Sequence, residues 1–179
     1  MEWFAHVPLK KFKGNKMTDK EFEFQYALGT MSYIDLVNIA SRSSSKYILA
    51  ILSKDEEKDV RFSVAENNNT PTEVLTNLSN DEEWYVKFCV AFNSSTPPNV
   101  LTRLSKDKEW RVRMSAAGNS NTPIEVLTKL SNDKKWQVRC WLADNHNAPV
   151  NILNKLSKDK DEQVRSWVAS NPRAPKDMA

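Results

Sequence analysis

Glycine is scarce in this chain, three of 179 residues, which argues against long flexible linkers. No apolar run reaches the roughly 18 residues that a membrane-spanning helix requires. Histidine occurs twice, at His6 and His146, and neither neighbours a cysteine at metal-ligand spacing, so the sequence offers no zinc or iron framework and no cofactor is expected. Glycine-rich phosphate loops and the nucleophile elbow are missing too, and no catalytic residue is nominated. The N-terminal stretch MEWFAHVPLKKFKGNK does not read as a signal peptide: its apolar part is short, broken by His6 and Pro8, and its lysines follow rather than precede it. The two cysteines, Cys89 and Cys140, sit two repeat lengths apart. With units advancing by about 8–10 Å they are too distant for a disulfide, and reduced thiols in a cytoplasmic protein are expected.

What the chain has in abundance is repetition. Leu-Ser-x-Asp recurs at Leu52-Ser53-Lys54-Asp55, Leu78-Ser79-Asn80-Asp81, Leu104-Ser105-Lys106-Asp107, Leu130-Ser131-Asn132-Asp133 and Leu156-Ser157-Lys158-Asp159, with successive leucines 26 residues apart. Fixed self-similarity of this kind specifies a stacked array. One unit cannot offset the conformational entropy of ordering its own residues, about 1.5 kcal/mol each, so stability must come from neighbours.

Each unit reads as helix, turn, short helix. The first segment runs from an Asp, a good N-cap, to an Asn, which tolerates the left-handed conformation common past helix ends: Asp55–Asn67, Asp81–Asn93, Asp107–Asn119, Asp133–Asn145 and Asp159–Asn171. The second opens with Thr70-Pro71-Thr72-Glu73 or Thr122-Pro123-Ile124-Glu125, the pattern of a capping box with Pro at the first helical position. Pairs such as Val74-Leu75 and Val100-Leu101, followed by the repeat leucine, give it one apolar face.

The organisation expected is a basic arm and helix start over 1–27, a worn capping repeat over 28–51, and five units over 52–179, the last incomplete. Met17 is a candidate start, because Thr18 and Glu21 form a helix opening. In the capping repeat Ile34, Val37, Ile39 and Ala40 are spaced for a buried face. At the other end Trp167 and Val168 are expected to have an uncovered side, which invites homo-oligomerisation.

Unrolled at about 100° per residue, every first helix carries a basic residue on its buried arc: Arg61, Lys87, Arg113, Arg139 and Arg165. An unpaired charge there costs several kcal/mol. Six residues before each stands Asp55, Asp81, Asp107, Asp133 or Asp159, which points to a ladder tying each cation to an Asp of a neighbouring repeat. A phosphate-binding stripe is the competing use of such a row; burial favours cross-ties.

The pattern L-S-x-D-x-x-W-x-V-R-x-x-x-A-x-N-x-x-T-P-x-x-V-L-x-x-L over residues 52–175 resembles the leucine-rich repeat variant family, a branch of HEAT- and armadillo-like α-solenoids. The resemblance implies an all-α, right-handed superhelix alternating α-helices with shorter, sometimes 3₁₀, helices, and supplies no general activity. The units here are slightly longer than in that family. Its N-terminal cysteine cluster with an iron–sulfur centre is not carried over, since residues 1–51 hold no cysteine.

Function is therefore sought where the repeats differ. One line on the first helices runs through Glu56, Asp59 and Ser63, then Glu82, Tyr85 and Cys89, then Lys108, Arg111 and Ser115, then Lys134, Gln137 and Trp141, and finally Lys160, Gln163 and Trp167. It grades from acidic to basic and aromatic, and such variable positions are where solenoids place specificity. Trp84, Trp110 and Trp136 share another position, read as packing between repeats. The leading expectation is a protein-binding scaffold using Tyr85, Lys108, Arg111, Lys134, Trp141, Lys160 and Trp167. The alternative is nucleic-acid binding along the basic half, residues 104–179 carrying 14 basic and 9 acidic side chains, with Trp or Tyr stacking on bases. A third reading, resembling HEAT-like alkylpurine DNA glycosylases, rests only on Asp144 with Trp141.

Overall fold

The computed structural model describes residues 17–174; the basic arm expected over residues 1–16 and the chain's last five residues lie outside the described residues. Twelve helices are described: α1 Asp19–Ala27, α2 Tyr33–Arg42, α3 Lys46–Leu52, α4 Lys58–Glu66, α5 Thr72–Leu78, α6 Trp84–Phe92, α7 Pro98–Leu104, α8 Trp110–Gly118, α9 Ile124–Leu130, α10 Trp136–Asp144, α11 Val150–Leu156 and α12 Glu162–Ser170. No described helix is long and apolar enough to cross a membrane. The even-numbered helices, nine or ten residues long, form one layer, and α3, α5, α7, α9 and α11, seven residues each, form the other.

Long helices pack directly on one another along the stack, while short helices meet chiefly the long helices beside them. The reason is side-chain size. Ala65, Ala91, Ala117 and Ala143 are fully buried in the long layer and let backbones approach; Leu75, Leu101, Leu127 and Leu153, also fully buried, fill the space between layers. Closer spacing in one layer than in the other bends a stack towards the closer one, so the long helices line the inner side. In the stretch before the first regular unit Ala40 is buried, but Ile34, expected on the same buried face, is 59% exposed. At the other end Val168 is fully buried and Trp167 is exposed, so the open apolar side expected of both holds for the tryptophan alone.

The caps differ from the sequence reading, and the difference explains the repeat. The expected N-cap aspartates lie in the turns, three residues before their helices. Each instead accepts the N–H two residues on, Glu83 N to Asp81 Oδ1 at 2.9 Å for example. The expected left-handed asparagines are extended, and no non-glycine residue among those described has a positive φ. Their side chains instead bond across the stack. Asn93 Nδ2 donates to the Ala65 and Asn67 carbonyls at 2.9 and 3.1 Å, and Asn119 Nδ2 to those of Ala91 and Asn93 at 2.8 and 3.0 Å. Asn67, Asn145 and Asn171 repeat the pattern. Each Oδ1 accepts the N–H two residues later, that of Ser95 or Asn121 for instance. A buried amide is thus fully used, and helix-end carbonyls that have no partner within their own helix gain one.

The Thr-Pro capping box does not form either. Pro71, Pro97 and Pro123 themselves occupy the N-cap position. Thr70, Thr96 and Thr122, all buried, donate their hydroxyls backwards to the carbonyls of Val64, Val90 and Ala116. The repeat serines turn back in the same way, Ser53 Oγ to the Ala50 carbonyl at 2.8 Å.

At the opposite ends of the long helices runs an ionic ladder. Arg61, Lys87, Arg113 and Arg139 reach forward to Asp81, Asp107, Asp133 and Asp159 of the next repeat at 2.6–2.7 Å. The arginines do so with two nitrogens, the geometry in which guanidinium and carboxylate match best. Asp55 pairs with no cation among the described residues; the Tyr26 hydroxyl donates to its Oδ2 at 2.7 Å. Burial, and then this carboxylate, push the Tyr26 phenol up to about 12. Arg165 binds the Asp159 and Lys160 carbonyls and forms no ion pair among the described residues.

Burial alone would raise the Asp107, Asp133 and Asp159 carboxyls. The cation facing each, and the N–H it accepts, outweigh burial and hold all three below the usual carboxylate value. The stability they contribute is therefore complete above the unfolded value of about 4 and is lost as pH falls through the folded values. Two outcomes follow. Arg113→Met, which strands Asp133, should cost about 3 kcal/mol at pH 7 and distinctly less at pH 3, because the carboxyl that has lost its cation is no longer held down and sheds its charge before the paired one does; urea unfolding at both pH values reads the difference, and equal losses would refute the assignment. Asn119→Ala, which leaves the buried Ala91 carbonyl and the Asn121 N–H without partners while the Asn93 carbonyl keeps the Thr96 N–H, should cost roughly 1–3 kcal/mol by the same measurement, against a near-neutral Asn80→Ala on the surface.

Candidate binding surface

The inner face of the long helices is formed by residues that recur three and four apart: Asp59, Phe62, Ser63 and Glu66 on α4; Tyr85, Phe88, Cys89 and Phe92 on α6; Arg111, Met114, Ser115 and Gly118 on α8; Gln137, Cys140, Trp141 and Asp144 on α10; Gln163, Ser166, Trp167 and Ser170 on α12. The expected stripe lies here but is not uniformly open. Ser63, Cys89 and Ser115 are buried because their side of each helix faces the preceding repeat; Ser115 Oγ donates to the Phe88 carbonyl at 2.9 Å. Burial pushes the Cys89 thiol up to about 12 and the Cys140 thiol to about 11, so neither is a nucleophile at neutral pH. Among the described residues no cluster of His, Cys, Asp and Glu could hold a metal ion.

Aromatic side chains gather at both ends of this face. Near the N-terminal ends Arg111 lies between two indoles, its guanidinium carbon 5.0 Å from the Trp84 ring centroid and 4.7 Å from that of Trp110. Glu109 Oε1 accepts from Arg111 Nη1 at 3.0 Å. Trp84 is 39% exposed and Trp136 41%, so the tryptophans expected to pack between repeats form a half-open ridge braced by Arg111. Tyr85 joins it, edge-on to Trp84 and against Phe62. Lys108, Lys134 and Lys160 are exposed in the turns leading to these helices. The ladder cations Arg61, Lys87, Arg113 and Arg139 are largely buried and already paired, which leaves Arg165 alone of that row exposed and outside an ion pair among the described residues.

Trp141 lies at the other end of the face. Its ring meets Phe88 and Phe92 edge-on at 6.3 and 6.1 Å, and the two phenylalanines stack with planes 5° apart. It covers Gly118, where an added Cβ would stand 2.7 Å from Trp141 Cε3. Beside this cluster opens a groove of about 340 Å³ lined by Phe92, Ser94, Gly118, Asn119, Ser120, Asp144, Asn145 and His146. The sequence reading separated the members of this face: it placed Tyr85, Arg111, Trp141 and Trp167 on one line and passed over Phe62, Phe88, Phe92 and Met114. The in-phase series Phe62, Phe88, Met114 and Cys140, one helical turn beyond the series that begins with Asp59 and Tyr85, was the available signal.

An all-α solenoid with an aromatic inner face is thus defined. Among solved structures the chain is similar to one described as a leucine-rich repeat variant with a novel repetitive structural motif: 26% identity, TM-score 0.62, covering 83% of this chain and 60% of that one. The repeat fold is that of the leucine-rich repeat variant, and the chain spans three-fifths of that neighbour's length. A crystal structure of an engineered protein also matches, at 20% identity, TM-score 0.45, 80% of this chain and 87% of that one, too loosely to carry an argument. No protein-family model and no curated protein matches the sequence.

Gly118 should be irreplaceable even by alanine. The new methyl group collides with a rigid indole held by two phenylalanines, so Gly118→Ala should destabilise by about 1–3 kcal/mol and increase Trp141 exposure. Thermal melts and fluorescence quenching measure both, and an unaltered melting temperature would show that the ring is free to shift.

Proposed function

We propose that this protein is a non-enzymatic scaffold that binds an extended segment of a partner protein along the inner face of its long helices. The reading rests on one observation: Phe62, Tyr85, Phe88, Phe92, Met114 and Trp141 stand side by side on a face that no other described element covers. Contiguous apolar surface of this kind marks interaction sites on soluble proteins. Arginine and aromatic side chains held in fixed positions are the groups that dominate protein interfaces, and Arg111 between Trp84 and Trp110 is held in this way. The fold supplies the rest, since a repeat array offers an extended surface whose identity is set unit by unit. Nucleic-acid binding is the second reading. It draws on the exposed Lys108, Lys134, Lys160 and Arg165, but the ladder cations Arg61, Lys87, Arg113 and Arg139 are consumed by their aspartates.

Panning the protein against a display library of random peptides should enrich binders that lose about tenfold or more in affinity with Phe92→Ser or Arg111→Glu. Both side chains are exposed, so circular dichroism should remain that of the parent. Absence of enrichment would overturn the proposal. Tight binding of single- or double-stranded DNA with a steep salt dependence, lost on reversing Lys108, Arg111, Lys134 and Lys160, would replace it.

A further inference from the structure

The groove between Phe92, Gly118 and Asp144 has a sign. It lies where α6, α8 and α10 end, at Phe92, Gly118 and Asp144, so three helices turn their electronegative ends towards it. The equivalent positions along the stack, Glu66, Phe92, Gly118, Asp144 and Ser170, carry two carboxylates and no cation. Asp144 is exposed and has no hydrogen-bond or ion-pair partner among the described residues. Arg173, the one described cation bonded to a residue lining the groove, is held on the His146 carbonyl at 3.0 Å.

The groove also has a fixed aromatic wall. Phe92 is 62% exposed, yet its ring is held by stacking on Phe88 and by the edge contact with Trp141. The absence of a side chain at Gly118 lets Trp141 settle over that position and leaves the groove floor low. An aromatic face, an unpaired carboxylate and three helix C-termini around about 340 Å³ describe a receptor for a planar cation on an apolar stem.

We propose that this groove receives the guanidinium of an arginine side chain on the partner segment, stacked on Phe92 and paired with Asp144. The proposal rests on the inner-face reading above and names the partner chemistry: a segment with an arginine placed to enter at the C-terminal ends of α6, α8 and α10. The side chain's methylenes lie along the aromatic wall while its charged end meets the carboxylate, the arrangement a long basic residue favours.

The test uses the ¹⁵N-labelled full chain titrated with N-acetylarginine amide and, separately, with its neutral isostere N-acetylcitrulline amide. Arginine should give saturable shifts centred on the amides of Phe92, Ser94, Gly118, Ser120, Asp144 and His146. Citrulline should bind about tenfold more weakly or worse. Asp144→Asn, a change at an exposed helix end, should bring arginine down to the citrulline level. Equal binding of the two compounds, indifference to Asp144→Asn, or no shift at these amides would each overturn the assignment. Peptides that require Phe92 and Arg111 but show no enrichment of arginine would leave the scaffold reading standing and remove this one.

Discussion

One buried amide per repeat holds this molecule in register. A stack of nine-residue helices has many ends, and each end leaves carbonyls without a partner inside the helix. Here the ends lie against the next repeat, away from water, where an unsatisfied carbonyl is expensive. The asparagine side chain meets this demand because its two N–H donors span two carbonyls of the preceding unit while its oxygen holds the following turn. A turn one residue longer or shorter would pull the amide off both carbonyls at once. That geometry gives a physical reason for a spacing that never varies from Leu52 to Pro175.

The second set of ties lies at the other ends of the same helices and is ionic. Neutral amides fasten the C-terminal ends, and carboxylate–cation pairs fasten the turns at the N-terminal ends. With each long helix pinned at both ends, the exposed positions of its inner side carry no inter-repeat tie and differ from unit to unit. The aromatic cluster around Trp141, the indole–guanidinium stack at Arg111 and the carboxylate of Asp144 all occupy that side. Rigidity in the ties and variety on the face are two aspects of one arrangement.

Much of this was legible in the residues themselves. The period fixed the stack, and the buried arc fixed the need for charge pairing. What escaped were roles that local rules assign differently. Asn and Thr-Pro are strong capping signals within a single helix, and both were read locally; in the structure Asn bonds to the adjoining repeat and Thr bonds back into its own long helix. Local propensity cannot register a partner that lies 26 residues away in sequence. The inner face was half legible for a similar reason. Tyr85, Arg111 and Trp141 stand out by type, whereas Phe88 and Phe92 look like ordinary core until the structure places no other described element over them.

The ladder also has a direction. Every tie runs forward, from the cation of one repeat to the carboxylate of the next, so each interior unit presents an acceptor behind and a donor ahead. A whole unit inserted between two others would find both its needs met and would leave no charge stranded. Chain length is in that sense a free variable of the architecture, and related arrays can differ by whole units without redesign of a single contact. Tyr26 breaks the rule at one end, where a phenol closes the series with no charge of its own. The boundary between cap and repeat is thus chemical as well as geometric, and a unit spliced in ahead of Asp55 would have to displace a hydroxyl before it could join.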